Sequence, residues 1–165
     1  VKFTSTTVKT GIGAAALAAA GVFGAGVASA APPTVQSLGT SEALFDGPMV
    51  TNYTVSNLQP SNAVIPGYTP QGKLYQADVT VRSDGGTVTP LISDFNARAA
   101  DGTTYRVLDT VPAPNGVPPA PLNQGQQANG EIYFDVTGPP PNGVVYNDGV
   151  EDVLIWTTPS NVTHP

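Results

Sequence analysis

The sequence predicts an all-β domain in which two antiparallel sheets pack face to face. Three observations lead there. Apolar residues recur at every second position, clusters of Gly, Pro, Asn and Asp separate the strand-like runs, and no segment after residue 30 keeps a 3.6-residue apolar repeat. In chain order the expected strands begin with Glu42 to Phe45 and Val50 to Leu58. In "LYQADVTVRS", Tyr75, Ala77, Val79 and Val81 alternate with Gln76, Asp78, Thr80 and Arg82, giving one apolar and one polar face. Thr87 to Ile92 is a further candidate. In "GEIYFDVTG" the apolar set is Ile132, Phe134 and Val136, against Glu131, Tyr133 and Asp135. Val144 to Tyr146 and Val153 to Thr157 complete the series. Turns are expected at Pro66-Gly67, Asp84-Gly85-Gly86, Asp101-Gly102, Asn142-Gly143 and Asp148-Gly149.

The stretch "DFNARAADGTTYRV" reads as a hairpin whose register can be chosen on physical grounds. A two-residue Asp101-Gly102 loop would mix Arg106 into the apolar face. A three-residue loop, Ala100 to Gly102 with Gly102 left-handed, puts Phe95, Ala97, Ala99, Tyr105 and Val107 on one face and Asn96, Arg98, Thr104 and Arg106 on the other. The second register is expected. Both arginines then lie on a solvated strand face, paired with nearby acids such as Asp94 or Asp109.

Residues 1–30 read as a secretory leader, outside the folded domain. Lys2 and Lys9 precede an uncharged run rich in Ala and Gly, "GIGAAALAAAGVFGAGV", and "ASA" at Ala28 to Ala30 supplies the small residues of a cleavage site. Cleavage after Ala30 is favoured because Pro32 would otherwise follow the scissile bond. The expected organisation is therefore a leader over 1–30, a sandwich over 31–158 and a flexible tail over 159–165. Removing the leader leaves 4 basic and 12 acidic residues, a net charge of −8. Such a charge disfavours nucleic acid and anionic lipid as partners, and after cleavage no membrane contact is expected.

Most catalytic chemistries are absent from the inventory. There is no Cys, which removes disulfides, thiol nucleophiles and Cys-based metal sites, and the single His164 is the penultimate residue. No phosphate-binding or dinucleotide loop is present. Only carboxylates remain, and they would have to work as a glycosidase-like pair. The acidic "NDGVED" at Asn147 to Asp152 lacks the spacing of a calcium loop and reads as a turn. Trp156 is expected in the core, not on an exposed platform with Tyr133 and Tyr146. No catalytic residue, cofactor or metal site is assigned.

Two segments read as loops, "VPAPNGVPPAPLNQGQQANG" (Val111 to Gly130) and "GPPPNG" (Gly138 to Gly143). The first is long, extended and backbone-exposed, and its rings lower the entropy lost on binding. Pro112, Pro114, Pro118, Pro119 and Pro121 are accordingly the expected partner contacts.

"AVIPGY", "VTPLISDFNARAADGTTYRVL", "NGEIYFDVTGPPP" and "NDGVEDVLIW" occur in that order. With these four blocks the chain resembles the MPT sixty-three family of mycobacterial secreted immunogenic antigens. The resemblance implies an immunoglobulin-like sandwich of two antiparallel sheets, exported and extracellular, with no catalytic residue or cofactor to carry over. The expected function is a secreted, non-enzymatic binding domain meeting a host or cell-envelope protein. The alternatives are a carboxylate-dependent carbohydrate-active hydrolase and a structural envelope protein. The leader sets the first testable expectation: the intact mass of the exported protein should correspond to a chain starting at Ala31, and a mass that includes residues 1–30 would overturn both boundary and location.

Overall fold

The computed structural model describes residues 32–159. The leader expected over 1–30 lies outside them, as do His164 and all but the first residue of the expected tail. Among the described residues nine strands follow one another: β1 (Thr34–Ser37), β2 (Ser41–Asp46), β3 (Met49–Pro60), β4 (Lys73–Gly85), β5 (Phe95–Ala99), β6 (Thr104–Arg106), β7 (Gln127–Val136), β8 (Pro141–Asn147) and β9 (Asp152–Thr157). They form a five-stranded sheet in the order β1-β9-β8-β5-β6 and a four-stranded sheet in the order β2-β3-β4-β7. The all-β, two-sheet expectation holds.

Strand period and burial agree residue by residue in the central strand β4. Ala77, Val79 and Val81 are fully buried, while the intervening Gln76, Asp78 and Thr80 are half-exposed. The two inner faces meet on an aromatic cluster. Tyr53 of β3 lies edge-on to Phe95 of β5 at 5.3 Å and against Tyr146 of β8 at 5.2 Å. Phe95 in turn stacks on Trp156 of β9 at 6.1 Å. Trp156 is fully buried and its indole N–H donates to the carbonyl of Thr40 at 2.9 Å. Burial of so large a ring is tolerated because its one polar atom is satisfied.

The hairpin at the arginines takes the three-residue loop. Ala97 pairs with Tyr105 and Arg98 with Thr104. The Ala99 amide donates to Thr103, the Gly102 amide donates to Ala99, and Gly102 has φ +91°, the left-handed conformation this loop needs. Phe95, Ala97, Ala99, Tyr105 and Val107 are all buried.

Several expectations fail, each for a local reason. Thr87 to Ile92 is not a strand: Val88 makes a single bridge to Leu122 and Ile92–Asp94 is a 3-10 turn. Pro90, with no amide hydrogen, interrupts any ladder there. Asn142-Gly143 is not a turn but the start of β8, where Gly143 opposes Arg98 on one side and Thr157 on the other. A Cβ at Gly143 would stand 2.6 Å from the carbonyl of Trp156, so the glycine serves close approach and not a bend. Strand β1 has no apolar alternation to announce it. It pairs parallel with β9, so the larger sheet is not wholly antiparallel. Tyr133, expected on a polar face, is buried with Ile65 and Leu74 in a second small cluster on the outside of the sheet. Strand β7 begins at Gln127, shortening the expected loop by four residues.

The role given to Gly143 is open to test. Gly143→Ala should destabilise the domain by about 1–3 kcal/mol through overpacking against the Trp156 carbonyl. A urea titration that finds the variant as stable as the parent would refute that role.

Candidate functional site

The proline-rich segment is a surface loop, but an anchored one. Its path along the outer edge of β7 is set by backbone pairing: Leu108 N–H donates to Tyr133 at 2.8 Å and Glu131 N–H to Asn115 at 2.8 Å. Farther along, Val88 and Leu122 exchange bonds of 2.9 and 2.7 Å. Val117 and Leu122 turn inward and are buried in the main core. Gly130 permits the closest approach, because a Cβ there would lie 2.4 Å from the amide of Val117. The loop therefore covers the edge of β7 while holding Pro112, Pro118, Pro119 and Pro121 outward.

Between this loop and the Pro90–Ile92 segment lies a cleft of ≈ 440 Å³. Ile92, Val107, Leu108 and Val117 give it apolar walls, and Asp109 and Glu131 are the charged groups on its lining. Of the expected contact residues, Pro112, Pro118 and Pro119 border the cleft. Pro121 is exposed but does not border it, and Pro114 is half-buried, its carbonyl accepting from the Tyr133 hydroxyl at 3.3 Å. From sequence Asp109 is expected only as a partner for the arginines and Glu131 only on the polar face of its strand. Their convergence depends on how the loop returns across β7, which spacing does not show. Tyr133 has one hydroxyl proton, which is shared between the Pro114 carbonyl and the nearer Glu131 carboxylate, and burial together with the carboxylate raises the phenol well above its ordinary range.

The arginine face is built differently from its expectation. Arg98 makes a two-pronged ion pair with Asp152 of β9, including Nη2 to Oδ1 at 3.2 Å, and not with Asp94 or Asp109. Strand order explains this: β8 and β9 lie on one flank of β5, so the acid that can be reached is far along the sequence. Arg106 forms no ion pair among the described residues and borders a small polar recess with Asp94, Asn96 and Asn147. Asn147 to Asp152 is a turn, as expected: Asp148 accepts from the amides of Val150 and Glu151, at 2.8 and 2.9 Å. No metal-holding group of three or more acidic or histidine side chains occurs among the described residues. Trp156, Tyr133 and Tyr146 are all buried, which removes the aromatic platform.

The comparisons with known proteins are consistent with one another. The family model described as "Domain of unknown function (DUF1942)" matches residues 33–156. Immunogenic protein MPB63 of Mycobacterium bovis is 46% identical over 154 residues, spanning 92% of this chain and 97% of that protein. Immunogenic protein MPT63 of Mycobacterium tuberculosis shows the same identity and coverage. The crystal structure of MPT63, described as a secreted protein from Mycobacterium tuberculosis, superposes with a TM-score of 0.74 at 46% identity, covering 77% of this chain and 98% of that one.

The Arg98–Asp152 pair makes a prediction about acid. The Arg98 hydrogen bonds, assisted by Asn147, hold the Asp152 carboxyl below its ordinary value. Burial alone would raise Asp135, but the Tyr68 hydroxyl and the amides of Gln71 and Gly72 outweigh it and its pKa also falls. Groups depressed on folding stabilise above their unfolded pKa, about 3.9, and that contribution disappears as pH drops through the folded value. Stability should therefore decline below about pH 4, and Asp152→Asn should flatten part of that decline in denaturant titrations at pH 2–5. An unchanged acid limb would show that the pair is not depressed.

Proposed function

Because the chain belongs to the DUF1942 family, with relatives named immunogenic proteins, we propose that it is a secreted, non-enzymatic binding domain that engages a host or cell-envelope protein through its proline-rich loop. The observation that carries the reading is an exposed array, Pro112, Pro118 and Pro119, bordering an apolar cleft and fixed from beneath by Val117. A loop held in this way has little conformational entropy left to lose on binding. Secretion rests on the leader pattern of residues 1–30 and on the description of the M. tuberculosis relative as a secreted protein.

A carboxylate-dependent hydrolase acting on carbohydrate is the second reading, favoured by the placement of Asp109 and Glu131 on one cleft. Hydrolysis of a polysaccharide panel that disappears in Asp109→Asn with Glu131→Gln would favour it over binding.

The anchoring of the loop changes how the first reading is tested. Replacing the whole of Pro112 to Pro121 by Gly and Ser would delete Val117 and unfold part of the core, so Val117 and Pro114 must stay. Pro112, Pro118, Pro119 and Pro121 changed together to Ser should leave stability within about 1 kcal/mol. The same change should weaken capture of envelope or host protein at least tenfold, roughly 1.4 kcal/mol. Arg98→Ala with Arg106→Ala should affect capture less. Full binding by the serine variant, with loss in the double-arginine variant, would move the contact to the arginine face.

A further inference from the structure

Glu42 sits on the edge strand β2 with its side chain turned inward, opposite Tyr53 in the β2–β3 register. It is 3% exposed, and among the described residues neither carboxyl oxygen has a hydrogen-bond partner. Buried polar groups are almost always satisfied, so an orphaned carboxyl needs a physical explanation. No cation among the described residues pairs with it. The titratable group facing it from β3 is Tyr53, whose hydroxyl is engaged with the Leu91 amide at 3.5 Å. The buried residues of β9 are Leu154 and Trp156. Strand β1 and the turn Leu38 to Thr40 carry no ionisable side chain, and Asp46, the other acid of β2, is exposed.

The surroundings of Glu42 are those of a latch. The chain crosses between the sheets at Leu38 to Thr40, where the Gly39 amide donates to Val55 at 2.7 Å and the Thr40 carbonyl receives the Trp156 indole at 2.9 Å. Among the described residues strand β2 has β3 as its one ladder neighbour, so lifting it breaks a single ladder. We propose that Leu38 to Asp46 is a proton-latched strap: with Glu42 neutral it lies closed over Trp156, and loss of that proton releases β2 from the edge of its sheet.

The direction of the response follows from burial, which raises the Glu42 carboxyl from 4.5 to about 7. A carboxyl whose pKa is higher closed than open favours the closed form fully below 4.5, and the preference is lost as pH rises through about 7. Between pH 5 and pH 8 the open fraction should rise about 70-fold, the ratio of the two titration curves. The response is opposite in sign to the acid limb set by Asp152 and Asp135, and it lies in a separate pH window.

The fold contains its own reporter, since Trp156 is the single tryptophan. Hydrogen exchange followed by NMR on the purified protein would read the amides of Ser41 to Asp46 and the Trp156 indole at pH values from 5 to 8, corrected for intrinsic chemistry. The expected result is an opening that increases about 70-fold through pH 7, with Ala77 and Val79 of β4 remaining better protected. Glu42→Met, which keeps the length without the charge, should abolish the rise, and Glu42→Gln should do the same. If neither variant folds, the parent decides: a flat profile overturns the latch, and a rise that levels off beyond pH 7 supports it. The same rise in Glu42→Met, or β2 amides that exchange only together with those of β4, would also overturn it.

Discussion

The contact on which the rest of the molecule depends is the meeting of Tyr53 with Phe95 and Tyr146 across the two sheets, with Trp156 stacked behind Phe95. One ring comes from the four-stranded sheet and three come from adjacent strands of the other. Their mutual geometry therefore fixes how the sheets are aligned. Edge-on and tilted pairs of this kind add about 0.5–1.5 kcal/mol each beyond the area they bury. Their larger consequence is positional. Trp156 can occupy the centre only if β8 comes close to its backbone, which requires Gly143, and only if its indole finds an acceptor, which the Thr40 carbonyl supplies as the chain changes sheets.

Legibility in the sequence followed how much of a residue's environment was local. β4 and the β5–β6 hairpin were readable because the alternation of side chains and the left-handed Gly102 are properties of a few consecutive residues. Tyr133 was misassigned because period two gives the face of a strand but not whether a loop covers that face. Here Ile65, from the connection between β3 and β4, closes over it beside Leu74 of the neighbouring strand. Gly143 and Asn142 carry the composition of a turn, and only the approach of β9 shows that the glycine was there for space. Strand β1, exposed at every position and built on pairing with β9 alone, has no burial pattern to read. The candidate site was legible in the same measure: the prolines could be named, while the convergence of Asp109 and Glu131 on one cleft could not.

Charge is arranged so that few long-range demands fall on the fold. Of the four cations among the described residues, Arg82 and Arg98 are each tied to one carboxylate, Asp84 and Asp152. Most of the remaining acids lie on turns or strand faces where solvent screens them, and such groups contribute little to stability. Glu42 is the exception. From sequence it is only the first residue of an expected strand, with nothing to separate it from the other acids. What separates it is parity: Glu42 shares the inward face with Leu44, so a register set by the apolar residues of β2 carries the acid inside.

The proline-rich loop shows why composition alone mistakes the mechanical character of a segment. Proline and glycine in such numbers suggest a flexible spacer, yet two apolar side chains, Val117 and Leu122, are enough to make this one part of the core. Each proline removes a donor that the loop would otherwise have to satisfy beside β7. Of the amides that remain, Gly116, Leu122, Gly125 and Gln126 are paired with the backbone. The loop thus shields an edge that would otherwise recruit another strand, and the surface it presents in exchange cannot extend a sheet. A partner engaging this edge must therefore read ring faces and the cleft beside them, and not a ladder of backbone groups.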